Sequence, residues 1–118
     1  MENQITTYFK ERIAACQAAA DALNADNRTD EAVFEKIRMN VFNIFRQVYS
    51  AGGKVSGGDE AQQLRFLLNR LDEIPATWQT ALETARRHGN SEKAHIEQIK
   101  LAAVVEIRQK ALEWSEEK

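Results

Sequence analysis

The chain has 118 residues, 43% of them hydrophobic and 29% charged, with a net charge of −2. This is the balance of one globular domain able to bury a core, and it excludes an intrinsically disordered chain. It offers no strongly basic face for duplex nucleic acid, and no run approaches the ~20 apolar residues of a membrane span. The single cysteine, Cys16, leaves no internal disulfide to form and suits a reducing compartment. The opening MENQITTYFKER carries charge at Glu2 and again at Lys10, unlike a secretory leader, so the expected address is the cytoplasm.

The first predicted element runs from Glu2 to about Ala25. Ile5, Phe9, Ile13, Cys16, Ala20 and Leu23 recur at steps of three and four, which puts them on one helical stripe. NADNRTD then interrupts the pattern with residues that favour turns and caps. A second helix begins at Thr29 or Asp30, either of which is a suitable cap. Val33, Phe34, Ile37, Val41, Ile44, Phe45 and Val48 form its stripe, and Phe42 and Tyr49 widen it. An apolar arc that wide requires more than one neighbour, so this helix is expected to be central.

Residues 51–58, AGGKVSGG, hold four of the five glycines. A phosphate cradle needs GxxxxGK[ST] after a strand, but Lys54 is followed by Val55 and the preceding segment is helical. Asp59 and Glu60 would also meet the phosphate with negative charge. The stretch, with Gly52, Gly53, Lys54, Gly57 and Gly58, therefore reads as a flexible connector between two helical hairpins.

After it, Leu64, Leu71, Trp78 and Ala85 are spaced by sevens, and Leu67, Ile74 and Ala81 each follow by three. The phase persists through Pro75. This predicts one helix over 59–88, capped by Asp59 and kinked at the proline. Two helices, the second capped by Asp72 with Pro75 in its first turn, is the alternative. Arg86, Arg87, His88 and Gly89 mark its end. The last helix spans about Glu92 to Glu116 after a Ser91 cap. Ile96, Ile99, Ala103, Ile107 and Trp114 lie on one face, and Leu101, Val105 and Leu112 lie nearly opposite. The sum is an all-α, antiparallel four-helix bundle forming one domain.

Candidate chemistry is sparse. Glu92 and His95 form one Glu-x-x-His, where di-iron bundles need two copies and further glutamates. Phosphotransfer bundles are similar in size and class, but they follow their histidine with a lysine and small residues, where this chain has Gln98 and Ile99. Glu113-x-x-Glu116 resembles half of the magnesium site of all-α nucleotide pyrophosphohydrolases, without its partner motif. Cys16 on an apolar stripe reads as a small core residue. Arg38, Arg46, Arg65, Arg70, Arg86 and Arg87 could form a strip for nucleic acid, but acidic residues interleave with the last four, as in a salt-bridged face.

Apolar residues remain once the stripes are used. Phe66 falls on the polar side of the third helix, Phe42 and Tyr49 widen the second, and Leu101, Val105 and Leu112 double the fourth. The expected function is a non-enzymatic cytoplasmic interaction protein of adaptor, small-chaperone, immunity or antitoxin type, self-associating as a homodimer and needing no cofactor. Its expected interface is Phe42, Tyr49, Phe66, Leu101, Val105 and Leu112, with Arg38 and Arg108 at the rim. The alternatives are a phosphotransfer or metal-dependent enzyme using His95 and nearby carboxylates, and nucleic-acid binding through the arginines.

Overall fold

In the computed structural model, residues 3–116 are described, and they form helices joined by short turns with no strand among them. Helix α1 spans Gln4–Ala25, α2 Thr29–Val55, α3 Glu60–Glu73, α4 Pro75–Arg87 and α5 Ser91–Glu116. Helices α3 and α4 are the third helix of the expected bundle, bent at Pro75. Ile74 between them keeps helical dihedrals (φ −61°, ψ −43°), and its N–H still reaches the Arg70 carbonyl at 2.9 Å. The bend is thus a kink in one helix, with the proline as the first residue of its second limb.

Local sequence explains the ends. The Asn3 side chain caps α1 by accepting from the Thr6 N–H at 2.9 Å. Asn27 takes a left-handed conformation (φ 60°) in the first turn, which asparagine tolerates better than most residues. Helix α2 starts at Thr29, but neither Thr29 nor Asp30 is its cap; Arg28 holds that position without a side-chain bond. Asp30 and Glu31 instead place charge in the first turn, where the helix dipole favours it. Asp59 caps α3 as expected, accepting from the Gln62 N–H at 3.1 Å.

The glycine stretch differs from its sequence reading. Gly52, Gly53 and Lys54 belong to α2, and the turn is only residues 56–59. Gly57 (φ 66°) and Gly58 (φ 90°) supply its left-handed backbone. Gly52 and Gly53 serve packing. A Cβ on Gly52 would stand 2.8 Å from Phe66 Cδ1, so the missing side chain lets the Phe66 ring of α3 lie directly on α2. Beside it, Gln63 Nε2 donates to the Tyr49 carbonyl at 2.8 Å, passing close over Gly53.

Helix α2 is central: it contacts α1, α3 and α5, while α4 contacts α5 and, at the bend, α3. The main core joins Ile5, Phe9 and Cys16 of α1, Phe42 and Phe45 of α2, Leu67 and Leu71 of α3, and Ile107 and Trp114 of α5. Burying each large side chain contributes about 1.5–3 kcal/mol. Beyond the bend, Leu82 and Ala85 of α4 make a smaller cluster with Ala94 and the half-buried Leu101 of α5.

This packing separates the two helical glycines. Gly52→Ala should destabilise the protein by about 1–2 kcal/mol, because overpacking against the Phe66 ring outweighs the gain in helix propensity. Gly53→Ala meets only the movable end of Gln63; loss of its bond to the Tyr49 carbonyl is offset by the gain in helix propensity, so the variant should lie within about 0.5 kcal/mol of wild type. Urea unfolding of both variants checks the difference.

Candidate functional site

The Pro75 bend and α5 together shape the surface. A proline has no N–H, so the Leu71 carbonyl, four residues back, loses its helical donor. Arg108 of α5 supplies one: its Nη2 donates to the Leu71 oxygen at 3.1 Å and also to Asp72 Oδ1. Arg108, expected at a partner's rim, is thus committed to closing the bend. Beside it runs a groove of about 340 Å³ between the bend and α5, lined among others by Pro75, Ala76, Leu101, Val104 and Val105.

The second stripe of α5 borders this groove. Leu101 is half-covered by α4, while Val105 is 65% exposed and Leu112 48%. The two expectations for this helix therefore meet in one element. Its first face is core, and its second is covered by α4 near Leu101 and open further along.

The other expected interface residues behave differently. Phe42 is fully buried and Tyr49 is 4% exposed, so neither is available to a partner. The widened arc of α2 exists because α1 covers it. The Tyr8 ring stands edge-on to Phe42 at 6.2 Å, the Arg12 guanidinium lies 4.9 Å from the Phe42 ring centre, and Asn3 Nδ2 donates to the Tyr49 hydroxyl at 2.8 Å. Phe66 is half-buried on Gly52, with the Arg70 guanidinium 5.0 Å from its ring centre. Arg38 pairs with Glu35 on its own helix.

The residues weighed for catalysis are dispersed. His95 is exposed, with its ring edge-on to Phe34 at 4.7 Å. Glu113 and Glu116 are exposed, and Glu113 faces Lys110 at 3.5 Å. Among the described residues, no three His, Cys, Asp or Glu side chains converge as a metal site would require. Cys16 is buried in the core cluster, and burial pushes its thiol up, away from the nucleophilic thiolate. Of the arginines, Arg70 pairs with Glu73 at 2.8 Å, and Arg38 with Glu35. No described helix is long and apolar enough to cross a membrane.

Two polar features escaped the sequence reading. Glu106 of α5 accepts from the Tyr8 hydroxyl and from Arg12 Nε and Nη2 at 3.0 and 3.2 Å. This ties α1 to α5, whose backbones do not otherwise meet. Glu97 is 4% exposed; Oε1 accepts from Lys100 Nζ at 3.2 Å, and Oε2 has no partner. Lys100 in turn lies 5.3 Å from the Trp78 ring centre. Phase was the missed signal: Glu97 follows Ala94 by three and precedes Leu101 and Val104 by four and seven, on the face that α5 turns inward.

Compared with protein-family models, curated proteins and solved structures, the chain matches none.

Two outcomes test these networks. Burial, reinforced by the bond to Glu106, raises the Tyr8 hydroxyl well above its ordinary pKa near 10. The folded state therefore holds this proton more tightly than the unfolded chain. The corresponding stability is complete below about pH 10 and is lost as pH rises further. Denaturation from pH 8 to 12 should show this loss, reduced in Tyr8→Phe. Second, replacing Glu97 and Lys100 together by Met should leave stability unchanged or raise it by about 1–2 kcal/mol, since a poorly satisfied buried ion pair is worth less than apolar packing. Calorimetric melting measures it.

Proposed function

We propose that this protein is a non-enzymatic interaction module that self-associates through the outer face of α5. The observation carrying this reading is the exposed pair Val105 and Leu112, in line with Leu101 and beside the groove at the Pro75 bend. Single exposed apolar residues are ordinary, but a stripe continuous with an apolar groove marks a contact surface.

A twofold partner suits its shape. Helix α5 has 26 residues and is about 39 Å long at ~1.5 Å per residue. Antiparallel pairing across a twofold axis would set Leu101 of one protomer near Leu112 of its partner, with Val105 near the axis. Each groove would then lie at the edge of the shared contact. The interaction surface is thereby reduced to Leu101, Val105 and Leu112, with Phe66 at most peripheral.

The role that fits is that of an adaptor, small chaperone, immunity protein or antitoxin, whose work is done by binding. The cytoplasm is the compartment this reading assigns, because Cys16 is held as a thiol in the core.

The decisive comparison is absolute mass by light scattering, over a wide concentration range, for wild type and for Val105→Glu with Leu112→Glu. Wild type should be dimeric and the variant monomeric with an unchanged helical spectrum. A wild-type chain that stays monomeric at high concentration, or a variant that dimerises equally well, would overturn the reading.

A further inference from the structure

Away from α4 and α5, a cavity of about 190 Å³ lies where the start of α1, the later half of α2 and the start of α3 meet. It is lined by Thr6, Phe9, Arg46, Tyr49, Ser50 and Gln63, and it is more enclosed than the groove at the bend. At roughly 30 Å³ per water it has room for about six waters, enough for a four-oxygen anion with a small substituent.

Its lining is electrostatically one-sided. Among the described residues, Arg46 is the one charged side chain in the lining. The Arg46 guanidinium is half-buried, yet both its Nε and its Nη2 go to the neutral Asn43 Oδ1, at 3.1 and 2.8 Å. It makes no ion pair with a described carboxylate, unlike Arg12, Arg28, Arg38, Arg70 and Arg108. A partly desolvated cation without a counter-charge is unfavourable, and an anion in the cavity would relieve it.

The remaining polar groups narrow the ligand. Thr6 and Ser50 present hydroxyls, which donate to an oxyanion. Gln63 has one amide N–H engaged on the Tyr49 carbonyl, which leaves its second N–H to donate and its oxygen to accept. A site with a guanidinium, two hydroxyls and an amide that can donate or accept matches an oxyanion, with or without an O–H of its own. Phe9 and the Tyr49 ring close the apolar side, where a short carbon stem would fit.

We propose that this cavity is a binding site for a small phosphate oxyanion, either inorganic phosphate or the head of a small phosphate monoester. The site is independent of the α5 stripe, since no lining residue belongs to α4 or α5. Dimerisation and anion binding can therefore fail separately.

The test is an amide ¹H–¹⁵N titration of the full chain with inorganic phosphate and, separately, glycerol phosphate, against sodium chloride at matched ionic strength. The expected result is saturable shifts concentrated at Thr6, Arg46, Ser50 and Gln63 with either phosphate and not with chloride. Tighter binding of glycerol phosphate would identify the monoester as the ligand form, and equal or weaker binding the inorganic ion. Arg46→Gln should weaken binding at least tenfold with its melting curve unchanged. Should that variant unfold, Thr6→Val with Ser50→Ala should still weaken binding several-fold. Shifts that do not saturate, that scatter over the surface or that match chloride would overturn the site, as would undiminished binding by folded Arg46→Gln.

Discussion

The architecture turns on one missing hydrogen. Pro75 cannot donate to the Leu71 carbonyl, and a half-buried carbonyl left without a donor costs about 1–3 kcal/mol. Arg108 meets that need from α5, at 3.1 Å. Its accompanying bridge to Asp72 is largely exposed and adds little, so the bond to the carbonyl is what matters. Because the bend is pinned to α5, the second limb packs mainly on α5 and meets the central helix through the Trp78 ring, edge-on to Phe45 at 6.5 Å. The groove, the small Leu82–Ala85–Ala94 cluster and the open end of the α5 stripe all follow from that geometry.

Most of the fold was legible because helices of this length carry their own period. Ile5, Phe9 and Cys16, or Leu64, Leu67 and Leu71, announce their stripe by spacing alone, and all are buried. Phase kept through Pro75 distinguished a kink from a loop. The glycines were harder to read. In residues 51–58 their composition signals a connector, but Gly57 and Gly58 alone of that stretch are used for backbone freedom; Gly52 and Gly53 are used for the space they leave, which depends on Phe66 and Gln63 of another helix.

The surface was legible only in part, and for a physical reason. Periodicity says that a residue is covered, not by what. Phe42 and Tyr49 look surplus on α2 alone, yet Tyr8 and Arg12 of α1 and its cap Asn3 close over them. The reverse holds for Val105 and Leu112, which stay open because the bent limb covers α5 only as far as Leu101. Polar ties such as Tyr8 and Arg12 to Glu106 join positions more than ninety residues apart, where no local pattern records them.

If the bend is closed by Arg108, the two residues must be energetically coupled, and a double-mutant cycle of Pro75→Ala and Arg108→Met measures that directly. In wild type, Arg108→Met should cost about 1–2 kcal/mol, because the Leu71 carbonyl is left without a donor. In the Pro75→Ala background the alanine N–H can take over that carbonyl, and the cost should fall close to zero. A coupling near 1 kcal/mol or more is the predicted result. Costs that add to within about 0.3 kcal/mol would contradict the account, since Arg108 would then not be closing the bend that shapes the surface of α5.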